Sequence, residues 1–193
     1  MTIFTKISKN FLFLRVLLIS SYGLLIHGGG KNRVRAALHY VLLNLVGSAL
    51  FLFALAILYS QLGSLEIQDM GRRITALPES SQFIVQSAAG LLLVVFGLKA
   101  AMLPFHFWLP TAYRQAPPVV ACVFAVMTKV GVYSLWRVFT TLFSQDAGQL
   151  AGFGQSLMAG CGLLTMLMAV FVLLSSPDLR GIVAALVLMS VSM

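Results

Sequence analysis

Apolar runs of transmembrane length are the feature that most constrains this sequence. Residues 36–59, 82–102, 119–143 and 152–174 form four such runs. The hydrocarbon core of a bilayer is about 30 Å thick, and a helix needs about 20 apolar residues to cross it. A helix also satisfies its own backbone hydrogen bonds, which lipid cannot do. The sequence therefore predicts an all-α fold, a polytopic bundle of transmembrane helices that forms a single domain over residues 1–193.

Two shorter apolar segments lie towards the ends of the sequence. Residues 11–26 are interrupted by Arg15, and no small-residue cleavage motif follows them, so we expect a retained helix. Residues 182–193 are too few to cross a bilayer and predict a partial helix. The mixed-charge segment 61–80 is a loop with room for a short interfacial helix. The total is about five to six helices.

The charge distribution is that of a membrane protein. Hydrophobic residues make up 60% of the chain and charged residues 9%. Lys and Arg outnumber acidic residues by 13 to 5, and most of these cations lie in short loops beside apolar runs. All five acidic residues lie between the apolar runs. We therefore expect a multi-pass membrane protein, with no nucleic-acid partner.

The two cysteines give no sign of a cofactor or metal site. Cys122 and Cys161 each stand alone in an apolar run, without a CxxC motif or a histidine at ligand spacing. The sequence has no dinucleotide-binding fingerprint and no set of cysteines that could ligate a cluster. We expect no cofactor, no metal and no redox chemistry in the chain itself.

Two lysines lie within the apolar runs. A charged residue at the centre of a membrane helix costs about 2.5–3.5 kcal/mol, and such residues often mark ion pathways. Lys129 is about ten residues, or roughly 15 Å of helix, from either end of its run, too far for its stem to reach the interface. Lys99 is nearer the end of its run, so the alternative to a place on an ion pathway is that its side chain extends to the membrane interface.

Prolines follow Lys99 closely and predict a discontinuous helix. Pro104 and Pro110 lack the backbone N–H that a helix interior requires, so we expect helix breaks there. Broken helices at membrane depth are tolerated only where they are buried in protein or line a water-filled cavity. A cation beside such a break suits a hydrated ion path.

Lysine is a suitable residue type for proton transfer, because removal from water brings its pKa towards neutrality. We expect a proton path through Lys99, Lys129 and His106. Four further polar residues could line that path: Asn44, Ser48, Thr128 and Tyr133. For these four the alternative is a purely structural role, such as helix packing by Asn44 and Ser48. His106 could equally be an interfacial residue among its aromatic neighbours.

Three stretches together resemble a known family. They are "SSYGLLIHGGGKNRVRAALHYVLLNLVGSALFLFALAILY", "LKAAMLPFHFWLPTAYRQAPPVVACVFAVMTKVGVYSLWRVF" and "DLRGIVAALVLMSVS". They resemble the D subunit of Mrp-type multisubunit monovalent cation (sodium)/proton antiporters. That subunit is similar to the antiporter-like membrane subunits of respiratory NADH:quinone oxidoreductase. The resemblance extends from about Val16 to about Ser190.

The resemblance implies a role for each buried cation. Lys99 would lie on the discontinuous helix and Lys129 on the next helix, as two members of a proton-translocating axis, with His106 near the break. It also implies other antiporter subunits as partners in the cell (inner) membrane, with protons and monovalent cations as the transported species. A transport subunit is then favoured over an enzyme.

The sequence also departs from the family. Arg15 precedes "VLLISSY" where the family has a buried glutamate before "VLLIASY". The resemblance covers only part of the family's helices, so we expect a partial antiporter-subunit fold, truncated at both ends. Three hypotheses remain open: an antiporter subunit, a proton-pumping membrane-arm subunit of a quinone-linked NADH dehydrogenase, and an incomplete chain with little transport activity.

Overall fold

The fold was obtained as a computed structural model, which describes residues 19, 20, 22, 23, 26, 30–143 and 150–193. The predicted segment 11–26 lies largely outside these residues, as does Arg15. Over residues 30–143 and 150–193 the secondary structure is helical, with no β-strand. The helices are α1 (Lys31–Leu62), α2 (Ile67–Thr75), α3 (Glu79–Ala100), α4 (Trp108–Gln115), α5 (Pro118–Leu142), α6 (Gln155–Ser175) and α7 (Leu179–Ser192), with a 3₁₀ turn, Phe105–Phe107, before α4.

Four segments of the described chain are long and apolar enough to cross a membrane. They are Arg33–Leu62, Ser80–Gln115, Pro118–Leu142 and Gln155–Ser175. The second of these contains α3, the break and α4. Helix α7 is apolar but shorter. The predicted all-α bundle with one discontinuous helix is confirmed over the described residues.

The observed helix ends differ from the predicted ones by a few residues. Helix α1 begins at Lys31 and not at residue 36, because basic side chains are tolerated where a helix leaves the bilayer. Its 32 residues span about 48 Å, so it is longer than the hydrocarbon core. Helix α6 begins at Gln155 and not at residue 152, because Gly154 adopts a φ of 82° and closes the preceding turn.

Helix α2 lies in the predicted loop 61–80 and is anchored at both faces. Met70 and Ile74 are buried against the bundle. The Arg73 guanidinium donates to Asp69 at 2.9 Å and to the Leu62 carbonyl at 3.0 Å, which satisfies a terminal carbonyl of α1. A hydrogen bond with Ser64, then the contact with Arg73, holds the pKa of Asp69 below its usual range.

Two buried apolar clusters hold the helices together. The first joins α1, α2, α3 and α5 through residues such as Leu58 and Val85. The second joins α1, α4, α5, α6 and α7 around Tyr40. The Tyr40 ring centroid lies 5.3 Å from that of Trp108 and 4.8 Å from that of Phe124. This second cluster fixes the segment that follows the helix break against α1 and α5.

Candidate functional site

The candidate site centres on the break between α3 and α4. Helix α3 ends at Ala100, and Ala101 adopts the left-handed conformation with φ 59° and ψ 37°. The Met102 N–H then donates to the Gly97 carbonyl at 2.9 Å. Pro104 lies in the break, as predicted. Pro110 instead lies in the first turn of α4, where a backbone N–H has no helical partner to lose, so the prediction of a break there was wrong.

The polar backbone of the break is satisfied by two side chains that the sequence does not single out. The Leu103 N–H donates to the Thr165 hydroxyl at 2.9 Å, and that hydroxyl donates to the Cys161 carbonyl at 2.5 Å. The Trp108 indole N–H donates to the Leu98 carbonyl at 3.0 Å. Thr165 is fully buried. These bonds replace water at membrane depth and make the break a defined structural element.

Helix α5 crosses the end of α3 directly at Lys99. A Cβ atom on Gly131 would lie 2.9 Å from the Ala100 nitrogen and 3.1 Å from the Lys99 carbonyl carbon, so only glycine allows this approach. Lys99 itself is half-buried, in the last turn of α3, where the helix dipole favours a cation. Gly131 follows Lys129 by two residues, so the contact links the backbone segments that carry the two lysines.

The Lys129 ammonium binds α7. Its Nζ donates to the Ser190 carbonyl at 2.6 Å and also contacts the Ser190 hydroxyl. Otherwise the Lys129 side chain is exposed on the outer face of α5 in the described chain. Tyr133, one turn along, is 60% exposed on that face. Lys129 and Tyr133 therefore share a helix face, and Ser190 of α7 lies beside the lysine ammonium.

His106 lies in the 3₁₀ turn within the break. It is half-buried, and its Nδ1 atom is buried without a hydrogen-bond partner in the part of the chain that the structure describes. A buried ring nitrogen of this kind can accept a proton from a water molecule or donate one to it, depending on the protonation state of the ring. The predicted position of His106 at the break thus agrees with the geometry, while its proton-transfer role stays a prediction.

Two of the remaining predicted residues, Asn44 and Thr128, form hydrogen bonds within their own helices in the part of the chain that the structure describes. The buried Thr128 hydroxyl donates to the Ala125 carbonyl of its own helix at 2.9 Å. The buried Asn44 amide donates to the Tyr40 carbonyl, also of its own helix, at 3.0 Å. Ser48 is half-buried one turn further along α1. Such bonds within one helix are those of polar groups at helix-packing contacts.

No metal centre is built by these elements. Among residues 30–143 and 150–193, His, Cys, Asp and Glu side chains form no group of three that could hold an ion. The polar groups at the site are an ammonium, an imidazole, hydroxyls and backbone carbonyls. This set can bind, orient and pass protons.

Known proteins resemble the chain over most of its length. Residues 6–187 match the family described as "NADH:quinone oxidoreductase/Mrp antiporter, TM". The D subunit of a probable K⁺/H⁺ antiporter from Rhizobium meliloti is 45% identical over 81% of this chain and 29% of its own length. The D subunit of a Na⁺/H⁺ antiporter from Bacillus subtilis is 37% identical over 90% of this chain and 34% of its own length.

A solved structure agrees with this similarity. The Mrp complex from Dietzia sp. DQ12-45-1b contains a chain with 27% identity and a TM-score of 0.79, matched over 94% of this chain and 33% of that one. The chain thus spans about a third of the length of the relatives it matches.

Proposed function

Because the chain belongs to the family of NADH:quinone oxidoreductase and Mrp antiporter transmembrane subunits, we propose that it functions within a membrane subunit of a multisubunit monovalent cation/proton antiporter. It is a multi-pass protein of the cell membrane. In this proposal its partners are the other antiporter subunits, and its transported species are protons and a monovalent cation. The two relatives named above, which carry the names of K⁺/H⁺ and Na⁺/H⁺ antiporter subunits, support this choice.

The observation that carries the proposal is the polar environment of Lys129. Its ammonium lies on an apolar helix, with the Ser190 carbonyl as an acceptor at 2.6 Å and the Ser190 hydroxyl beside it. Acceptors of this kind keep a charged lysine tolerable within an apolar segment. They are neutral, so they do not fix the lysine permanently in its protonated state as a carboxylate would. A lysine held in this way can release and regain a proton.

Lys99 and His106 extend the path along the discontinuous helix. Lys99 lies in the last turn of α3, and its backbone contacts α5 at Gly131, two residues from Lys129. A proton that leaves Lys129 changes the electrostatic energy at Lys99, because the screening by water is weak inside a membrane protein. His106 follows Lys99 through the break, and its Nδ1 atom has no partner among the described residues. In this proposal water molecules at the break connect these three groups.

The family description also includes subunits of NADH:quinone oxidoreductase. In that alternative the same path would be driven by a redox reaction in other subunits, since this chain carries no predicted cofactor site. The chain would then be part of an enzyme complex without being its catalytic component. The named relatives favour the transport subunit, which makes this chain more a transporter component than an enzyme.

Proton flux in everted membrane vesicles tests the proposal. The chain is expressed with the remaining antiporter subunits in a host that lacks its own antiporters, and a pH-sensitive dye reports the internal pH. We expect addition of Na⁺ or K⁺ to release protons from the acidified vesicles, above the level of vesicles from the empty-vector host. Flux at the empty-vector level after addition of either cation would contradict the proposal.

A further inference from the structure

Ser190 lies opposite the lysine on which the proposed function depends. It belongs to the last turns of α7, and among the described residues both hydrogen-bond acceptors of the Lys129 ammonium are its atoms. The Ser190 hydroxyl donates in turn to the Val187 carbonyl at 2.9 Å. The hydroxyl hydrogen is therefore donated within α7, and the lone pairs of the hydroxyl oxygen face the ammonium.

A hydroxyl suits a lysine that changes its protonation state. The ammonium has three donors and no acceptor, so it requires acceptors such as the Ser190 oxygens. The neutral amine gains a lone pair. A serine hydroxyl can rotate from the Val187 carbonyl and donate to that lone pair. The carbonyl of Ser190 lacks this second ability, so the hydroxyl is the group that can hold both forms of Lys129 in place.

We propose that Ser190 is a positioning residue for Lys129, which holds the lysine against α7 and sets its affinity for a proton. This inference rests on the proposed function, because it names a residue that tunes the same path. Loss of the hydroxyl leaves the protonated lysine with one acceptor fewer. The neutral amine loses a donor as well, but the hydrogen bond to the charged ammonium is the stronger of the two, so the protonated form loses more stability and Lys129 releases its proton at lower pH.

Other charged groups near α5 do not obscure this effect. They lie on elements packed against α5: Lys99 on α3, Asp69, Arg72 and Arg73 on α2, Arg114 on α4 and Arg180 on α7, with Arg137 on α5 itself. Further titratable groups are His106, Tyr113, Tyr133 and Cys122, together with Tyr40 of α1, whose hydroxyl donates to the Met127 sulfur of α5. Each is unchanged by a substitution at Ser190. A difference in the titration midpoint of Lys129 between variants therefore reports the loss of the Ser190 hydroxyl.

The direct test is a titration of Lys129 in the full chain, placed in lipid nanodiscs. The sequence has five lysines, so ¹³C-labelled lysine gives a short set of NMR signals, and Lys129→Gln identifies the relevant one. We expect Ser190→Ala to move its titration midpoint to lower pH by about one unit, the scale of one hydrogen bond to a charged group. Ser190→Thr, which keeps the hydroxyl, restores the midpoint.

Ser192→Ala is the matched control. Ser192 lies on the same helix, and its hydroxyl donates to the Met189 carbonyl of that helix at 2.6 Å. This substitution should leave the midpoint unchanged. Equal midpoints in the wild type and Ser190→Ala would overturn the proposal. Ser190→Cys, a substitution of similar volume with a weaker acceptor, should shift the midpoint in the same direction, which guards against a packing defect in the alanine variant.

Flux measurements separate this inference from the proposed function. In the assembled antiporter, Ser190→Ala should move the pH of half-maximal flux in the same direction as the titration, while Ser192→Ala should not. If Lys129→Ala leaves flux intact, the proposed proton path through Lys129 fails, and the titration still decides the role of Ser190. If Lys129→Ala abolishes flux and Ser190→Ala leaves the pH profile unchanged, only the role of Ser190 fails.

Discussion

Gly131→Ala tests the close contact between the helices that carry the two lysines. The new Cβ atom would lie 2.9 Å from the Ala100 nitrogen and 3.1 Å from both the Ala100 Cα and the Lys99 carbonyl carbon. To reach an ordinary contact of 3.4 Å the two backbones must separate by about 0.5 Å. The neighbours are main-chain atoms of a packed helix, so no side-chain tip can move aside.

The expected magnitude follows from two opposing effects. Overpacking of a tight contact costs about 1–3 kcal/mol, and the main-chain neighbours place this site in the upper part of that range. Alanine gains about 1 kcal/mol over glycine through its higher helix propensity. The net result is a loss of about 1–2 kcal/mol in the free energy of unfolding, or several degrees in the unfolding temperature by the scale of soluble domains of this size.

Thermal unfolding in nanodiscs, followed by tryptophan fluorescence, measures this loss. Trp108 is 7% exposed and lies directly after the break, so its emission reports the region that Gly131 contacts. Gly90→Ala is the matched control, since a Cβ there meets no atom within 4 Å and alanine should be neutral or stabilising. Equal stability of the Gly131 and Gly90 variants would refute the inferred helix contact.

Two further predictions concern the break and helix α2. Thr165→Val keeps the side-chain shape but leaves the Leu103 N–H without its acceptor, so we expect a loss of about 1–3 kcal/mol and faster hydrogen exchange at Leu103. Thr140→Val, at an exposed hydroxyl bonded within its own helix, should change neither quantity. The lowered pKa of Asp69 means that its interaction stabilises the fold above the unfolded-state pKa of about 4 and is lost as the pH falls through the lower folded-state pKa. Asp69→Asn should therefore unfold at a lower temperature than the wild type near neutral pH, and this difference should close in acid; a difference independent of pH would contradict this assignment.

The helices could be predicted from the sequence because apolar run length alone determines most of them. The break after Lys99 was equally accessible, since Pro104 excludes a continuous helix. Pro110 was misjudged because the same residue type is compatible with the first turn of a new helix, and only the position of Trp108 at the start of α4 decides between the two roles.

Long-range hydrogen bonds at the site could not be predicted in the same way. Thr165 binds the Leu103 N–H across 62 positions, and Lys129 binds Ser190 across 61. Neither pairing has a local pattern in the sequence. The available signal was weak: Thr165 is a polar residue within the apolar stretch 157–174, and such residues often form interhelical hydrogen bonds. The apolar pattern identifies which segments are helices, but the contacts between their faces depend on packing.

Proton flux through lysine variants of the proposed antiporter tests the central claim most directly. Lys129→Ala removes the group that carries the proton. Lys129→Arg keeps the positive charge, but a guanidinium group does not release its proton at physiological pH. We predict that both variants insert normally into the membrane and that both lose cation-dependent proton flux. Wild-type flux in either variant would contradict a proton path through Lys129.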